Sequence, residues 1–132
     1  MITHVETVAV SVSDQARSRN FFVDQLGFEL RKDQPFGSDE GRLRWIEVAP
    51  PGAQTVLALF TPPGLEDRIG GNSGLVFLCD DVEATAEELK HRGVTFSQEP
   101  TLIPSGWWAR FEDPDGNQYG LSQADRPSGT SD

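Results

Sequence analysis

The sequence is poor in the residues that small proteins use for disulfides, metal sites and nucleic-acid binding. It has one cysteine, Cys79, one methionine, one tyrosine and two histidines in 132 residues. A single cysteine excludes a disulfide framework within the chain and fits a reducing compartment. The 11 basic residues are outnumbered by 21 acidic ones, and the formal net charge is −10. This balance argues against nucleic acid and anionic membrane surfaces as partners.

Long apolar runs are also missing. No run approaches the ~18 residues that cross a membrane, and no basic segment followed by an apolar one opens the chain. We therefore expect a cytoplasmic protein with no membrane partner. Phosphate-binding glycine loops and the nucleophile elbow of hydrolases are absent. Residues 124–132 are rich in Ser, Pro, Gly and Asp without apolar periodicity, and they predict a disordered tail.

What the chain does contain is one pattern that occurs twice. An alternating apolar strand leads to Asp14, a helical segment follows, and Gly27 ends it. The same order recurs at Asp81 and Gly93, which lie 67 and 66 residues further on. Aspartate is a good helix N-cap, and glycine commonly follows the last helical turn. The repeat predicts two equivalent modules within a single domain of residues 1–123.

Strand signals complete both modules, which are predicted as βαβββ units of about residues 2–60 and 73–123, joined by a linker of residues 61–72. The first module is predicted to contain strand Val5–Val12, helix Gln15–Leu26 and strands Phe28–Lys32, Leu43–Val48 and Thr55–Phe60, with a polar turn at Pro35–Gly41. The second is predicted to contain strand Gly74–Cys79, helix Val82–Arg92 and strands Val94–Ser97, Trp107–Glu112 and Gln118–Ser122, with a loop around Pro100 and Pro104.

The segment Asp113–Asn117 is a specific turn signal. Proline at its first central position and glycine two residues later fit a type I turn closed by a left-handed glycine. A hairpin closed in this way has a fixed register. One face of its two strands then carries three opposed pairs: Glu112 with Gln118, Arg110 with Gly120, and Trp108 with Ser122. The other face is apolar and should lie under the helices.

These motifs resemble the vicinal oxygen chelate superfamily, the group of glyoxalases, bleomycin resistance proteins and extradiol dioxygenases. The resemblance rests on the tandem modules, on the Asp-Pro-Asp-Gly-Asn hairpin and on the run Asn20–Phe28, where Phe22 replaces the family's tyrosine. It covers about residues 2–123 and implies an α+β fold. In this family, tandem βαβββ modules form a curled mixed sheet, a cup or half-barrel, with the helices on the outside. The resemblance also implies a homodimer, with modules paired within a chain or swapped between chains.

The resemblance also implies where a metal would be bound. Metal-dependent members carry a ligand on the first and last strands of each module. The first-strand ligand is usually a His seven residues before the capping Asp, and the last-strand ligand of the second module is usually a Glu four residues after the hairpin glycine. Those places hold Thr7, Ala58, Gly74 and Gly120. Because none of these is an imidazole or a carboxylate, we predict no metal and no other cofactor. His4, His91 and Glu47 could in principle bind a metal, but they do not lie at the family's ligand positions.

The same four positions point into the expected cup, and the two-residue alternation of strands identifies their neighbours. Small residues would form the floor and aromatic rings the walls, which suits an apolar or planar organic ligand oriented by a few polar groups. The predicted ligand-binding residues are Thr7, Trp45, Phe60, Trp108, Arg110 and Gln118. Phe36 is a further candidate. The sequence leaves open which face of strand Leu43–Val48 carries Trp45.

The favoured function is metal-independent binding of a small molecule, as in bleomycin resistance. A cationic or aromatic natural product would be sequestered with no bond made or broken, and no catalytic residue is assigned. Two alternatives stay open. One is an enzyme similar to lactoylglutathione lyase or a dioxygenase, which the four unsuitable positions disfavour. The other is a metal-free enzyme of unknown reaction, for which Arg110, Glu47 and Gln118 are the polar groups to test first.

Overall fold

The computed structural model describes residues 1–37 and 43–124. It is an α+β structure with two four-stranded mixed sheets, which confirms the predicted class and the two βαβββ modules. The chain divides into two compact units. The first unit is Met1–Gly71 with Pro114–Gly116, and the second is Asn72–Asp113 with the described residues from Asn117 on. Apart from Ala124, the predicted disordered tail lies outside the described residues.

In the described residues, each unit contains one α-helix and one sheet. The first has β1 (Thr7–Val10), α1 (Gln15–Asn20), β2 (Glu29–Pro35), β3 (Arg44–Ala49) and β4 (Val56–Leu59). The second has β5 (Asn72–Cys79), α2 (Val82–His91), β6 (Thr95–Ile103), β7 (Gly106–Glu112) and β8 (Gln118–Gln123). A 3-10 turn at Glu66–Arg68 lies in the predicted linker. Neither helix is long and apolar enough to cross a membrane, as far as the described residues go.

The two sheets have the same topology. Their strand orders are β1-β4-β3-β2 and β5-β8-β7-β6, and in each the first strand pairs in parallel with the last. Ala9 lies opposite Ala58 in the first sheet, and Val76 lies opposite Gly120 in the second. The sequence repeat therefore corresponds to a repeat of strand register.

Both predicted helix starts are confirmed in atomic detail. The Asp14 carboxylate accepts a hydrogen bond from the Arg17 amide at 3.0 Å, and the Asp81 carboxylate accepts one from the Ala84 amide at 3.0 Å. Each bond satisfies an amide that has no partner within its helix. After the helices, Gly27 and Gly93 have φ angles of 79° and 88°, a left-handed conformation that glycine adopts without a steric penalty.

Apolar side chains fill the space between each helix and its sheet. In the first unit the buried side chains include Val10, Phe21, Phe22, Ile46, Val48, Leu57 and Leu59. In the second they include Val82, Ala86, Ala109, Phe111, Tyr119 and Leu121. The predicted apolar face of the β7–β8 hairpin is therefore in the core. The opposite face of the hairpin does not pack against the helix and is available for ligand binding.

The first helix differs from the prediction of one continuous helix from Gln15 to Leu26. The α-helix ends at Asn20, and Phe21–Gln25 continues as a π-helical turn. Its widened backbone is marked by the Leu26 amide, which donates to the Phe21 carbonyl at 3.1 Å, five residues back. The wider turn accompanies the burial of two adjacent rings, Phe21 and Phe22.

The prediction of a loop around Pro100 and Pro104 was wrong for the first part of that segment. β6 runs on to Ile103 and includes Pro100, with register shifts on both sides of Gln98. β6 is an edge strand, so a proline there need not interrupt a ladder of hydrogen bonds. β2, the edge strand of the other sheet, likewise ends at Pro35. The rest of the predicted Pro35–Gly41 turn lies partly outside the described residues.

The tip of the last hairpin belongs to the first unit. The Asp115 carboxylate accepts from the Ser13 amide at 3.0 Å and from the Arg17 guanidinium at 2.8 Å. Its side chain is only 4% exposed. The first unit is therefore assembled from two separate pieces of chain.

The base of the same hairpin is held within the second unit by a buried carboxylate. Asp113 accepts hydrogen bonds from the Asn117 amide at 3.0 Å, the Asn117 side chain at 2.9 Å and the Tyr119 hydroxyl at 2.8 Å. Three donors compensate the cost of burying the charge. They also fix the register of β7 against β8.

A second polar network joins α1 to the first sheet. Asp33 on β2 accepts from Arg44 on β3 and, at 3.0 Å, from Arg19 on α1. The hydrogen bond from Arg44, supported by Arg19, holds the pKa of Asp33 below its usual range, although burial acts in the opposite direction.

We predict that Asp33→Asn lowers the free energy of unfolding by about 1 kcal/mol at pH 7. A depressed folded-state pKa stabilises the fold above the unfolded pKa of about 3.9, and this stability is lost as the pH falls through the folded value. The difference between wild type and variant in urea unfolding should therefore be constant from pH 8 to 5 and shrink below about pH 4. If the stability difference between wild type and Asp33→Asn stays the same at a pH low enough to protonate Asp33 fully, the lowered pKa of Asp33 is wrong.

We also predict that Asp81→Ala lowers the free energy of unfolding by about 1 kcal/mol, because the Ala84 amide loses its acceptor. Asp80→Ala is the matched control. Asp80 is the adjacent exposed aspartate, and its replacement should change stability by less than about 0.5 kcal/mol. Urea unfolding of both variants tests this, and equal losses would show that the cap is unimportant.

Candidate ligand-binding site

The predicted register of the last hairpin is confirmed. Trp108 lies opposite Ser122, Arg110 opposite Gly120, and Glu112 opposite Gln118. All six positions share the sheet face opposite the buried Ala109, Phe111, Tyr119 and Leu121. Three predicted ligand-binding residues, Trp108, Arg110 and Gln118, therefore stand on one surface of the second unit.

The Trp108 indole lies directly over the backbone of Gly120. A Cβ atom built on Gly120 would be 2.2 Å from Cη2 of the indole and 2.8 Å from Cζ2. Such distances are far below van der Waals contact, so only a glycine at this position permits the ring to lie there. Glycine within a strand often marks a close approach of this kind.

Apolar and cationic groups surround this ring. The Arg110 guanidinium lies 5.9 Å from the centre of the Trp108 ring, within the range of a cation–π contact. Val76 and Leu78 on the neighbouring β5 are 53% and 69% exposed, and they lie opposite Gly120 and Ser122. This part of the second unit thus combines exposed apolar side chains with the Arg110 guanidinium, and Glu112 and Gln118 lie on the same face.

The first unit carries a separate aromatic cluster. The ring centres of Trp45 and Phe60 are 5.4 Å apart, and Phe36 lies 5.7 Å from Trp45 and 5.0 Å from Phe60. We call these three residues the aromatic cluster. The contact with Phe60 shows which face of β3 carries Trp45, a point that the sequence leaves open.

The remaining predicted residue of this unit, Thr7, lies on β1 of the same sheet. It is two residues from Ala9, which is opposite Ala58, and Ala58 is opposite Glu47. The two-residue alternation therefore places Thr7 on the same face as Trp45 and Glu47. The structure brings Trp45 and Phe60 into contact, whereas Thr7 stands two strands away from Trp45.

A carboxylate borders the aromatic cluster. The indole N–H of Trp45 donates a hydrogen bond of 2.7 Å to Oε2 of Glu47. Residues two apart on a strand share a face, so this spacing in the sequence could have revealed the pair. The sequence identifies Glu47 as a polar group of a possible metal-free enzyme and does not connect it with Trp45.

An open cavity of about 700 Å³ also lies in the first unit, beside the start of α1. Its lining includes Gln15, Arg44 and Thr61, and none of the predicted ligand-binding residues. The Gln15 amide donates to the Arg44 and Leu59 carbonyls, and the Thr61 hydroxyl bridges the amide and carbonyl of Val12. Because these polar groups are engaged with backbone, the cavity offers little for orienting a ligand.

The sequence profile of the Glyoxalase/Bleomycin resistance protein/Dioxygenase superfamily matches residues 2–121. The chain belongs to this superfamily. The profile includes every predicted ligand-binding residue and both sheets apart from the last two residues of β8, which confirms the resemblance drawn from the Asp-capped helices and the hairpin.

Individual proteins show how close the similarity is. The uncharacterised protein YetH of Bacillus subtilis is 35% identical over 123 residues, covering 93% of this chain and all of its own. TnmS3, an antibiotic binding protein from Streptomyces sp. CB03234, is 40% identical, with a TM-score of 0.80 over 94% of this chain and 98% of its own. A superfamily member from Sphaerobacter thermophilus is 37% identical, with a TM-score of 0.83 over 93% and 98%.

The metal positions of the superfamily do not fit a metal in this chain. Ala58, Gly74 and Gly120 have no side-chain donor atom, and Thr7 offers only a hydroxyl. The space above Gly120 is taken by the Trp108 ring. Within residues 1–37 and 43–124, no three His, Cys, Asp or Glu side chains are grouped so that they could hold a metal ion.

We predict that Gly120→Ala displaces the Trp108 ring and lowers the free energy of unfolding by about 1–3 kcal/mol. In a Trp108→Ala background the same change should be nearly neutral, because the clashing ring is absent. A double-mutant cycle by urea unfolding measures this coupling. Equal costs in both backgrounds would show that Gly120 is required for another reason.

Proposed function

We propose that this protein binds a cationic or planar aromatic natural product without a metal, and that it sequesters the compound rather than transforming it. The observation that carries the proposal is the Trp108 ring over Gly120. Where metal-dependent members of the superfamily are expected to carry a carboxylate, this chain has a flat aromatic surface.

The surroundings of that ring support a ligand of this class. Exposed Val76 and Leu78 would contact an apolar body, and the Arg110 guanidinium could meet an acceptor oxygen. Gln118, half-buried on the same face, adds an amide with both donors and an acceptor. A planar compound stacked on Trp108 would thus be oriented by only a few polar contacts.

The similarity to an antibiotic binding protein points the same way. TnmS3 is 40% identical to this chain over nearly the whole length of both. A common fold alone would not carry function. Such identity, combined with the unsuitable metal positions, favours binding over metal-assisted chemistry. A role in antibiotic resistance, a cytoplasmic location and a homodimer are parts of the same proposal.

We predict that the purified protein binds the planar tricyclic compounds proflavine or acridone, as measured by isothermal titration calorimetry. Trp108→Ala should weaken this binding about tenfold or more, because stacking and apolar contact on the indole are lost. Leu102→Ala is the matched control. Leu102 is also exposed and lies on the same sheet, but it pairs with Trp107 on the other face.

Two further measurements separate binding from catalysis. Elemental analysis should find no stoichiometric metal, and the dissociation constant should be unchanged by EDTA. Mass spectrometry should recover the compound unaltered after long incubation. A stoichiometric transition metal, or a converted compound, would overturn the proposal.

A further inference from the structure

We infer that the aromatic cluster of the first unit, together with Glu47, binds a positively charged nitrogen of an organic ligand. This inference rests on the proposed function and specifies it further: the ligand is an amine or another organic cation, and Glu47 is its counter-ion. Neither the predicted ligand-binding residues nor the similarity to other members of the superfamily assigns Glu47 this role.

The geometry of the rings is the first argument. Phe36, Trp45 and Phe60 are in mutual contact, with ring centres 5.0–5.7 Å apart and tilted or edge-on orientations. Phe60 is almost buried at 9% exposure, whereas Phe36 is 42% exposed, so the cluster extends from the core to the surface. Aromatic faces are electron-rich, and groups of them are a common recognition site for ammonium ions.

The position of the carboxylate is the second argument. The indole N–H of Trp45 fixes Oε2 of Glu47 at 2.7 Å, on the same face as the rings. An ionised carboxylate has about four acceptor sites, and this bond uses one of them. A carboxylate held in place beside rings loses little entropy when it meets a cation, and it adds a charge-assisted hydrogen bond to the cation–π attraction.

The cationic residue opposite Glu47 in the sheet does not occupy this place in the structure. Lys32 lies directly across the strand pair from Glu47, yet across the described ranges it makes no ion pair with that carboxylate. Lys32 is exposed, so its ammonium is readily solvated instead. A net charge of −10 would also attract a cationic ligand to the protein as a whole.

Within the first unit, the aromatic cluster and Glu47 would distinguish a neutral compound from a cationic one. A neutral planar compound would gain from contact with the rings of the cluster alone. A planar compound that also carries a cation would gain from Glu47 in addition, and this difference can be measured.

The test compares proflavine, which is cationic at pH 7, with acridone, a neutral tricycle of similar shape. Calorimetric titration should show that Glu47→Gln weakens proflavine binding about tenfold while leaving acridone binding within about twofold. Glu83→Gln, which makes the same charge change on the exposed surface of α2, should affect neither compound. Raising the salt concentration should weaken binding of proflavine only.

Trp45→Phe examines how Glu47 is positioned. The variant keeps an aromatic ring but removes the N–H that holds the carboxylate. It should weaken proflavine binding by several-fold and change acridone binding less. Far-UV circular dichroism and urea unfolding of both variants establish that they are folded.

The outcomes distinguish this inference from the proposal on which it rests. If Glu47→Gln leaves proflavine binding unchanged, or weakens both compounds equally, the cation site is wrong although planar compounds are bound. If the wild type binds neither compound, the proposed function fails and the cation site fails with it. Selective loss of proflavine binding supports both.

Discussion

The parallel pairing of the first and last strands in each module is the constraint on which the rest of this structure depends. Two parallel strands cannot be joined by a tight turn, so each module needs a helical crossover, which Asp14 and Asp81 start in the same way. The pairing places Ala9 beside Ala58 and Val76 beside Gly120. Each candidate face is thus built from residues that lie more than 40 positions apart.

Features with a local cause could be predicted from the sequence. The caps at Asp14 and Asp81 depend on residues within one helical turn, and the β7–β8 register depends on the five residues of its turn. Because the register decides which side chains share a face, the sequence also placed Trp108, Arg110 and Gln118 together. The superfamily followed from the combination of these local signals rather than from any one of them.

Features with a tertiary cause could not be predicted. The extension of β6 past Pro100 depends on that strand being at the sheet edge, which the sequence does not state. The π-helical turn accompanies two adjacent phenylalanines that are both buried. Gly120 could be recognised as lacking a metal-binding side chain, but the ring that fills its place was visible only in the structure. The orientation of Trp45 likewise needed its contact with Phe60.

The contacts at the tip of the last hairpin determine whether the two halves of the chain could be produced as separate polypeptides. The sequence repeat invites a cut near residue 71, which would separate two halves of similar length. However, the first unit includes Pro114–Gly116, and the Asp115 carboxylate there meets the Ser13 amide and the Arg17 guanidinium. A polypeptide ending at residue 71 would retain the Arg17 guanidinium but lose the Asp115 carboxylate that pairs with it. The repeat is therefore visible in the sequence, while the compact units of the structure do not follow its boundary along the chain.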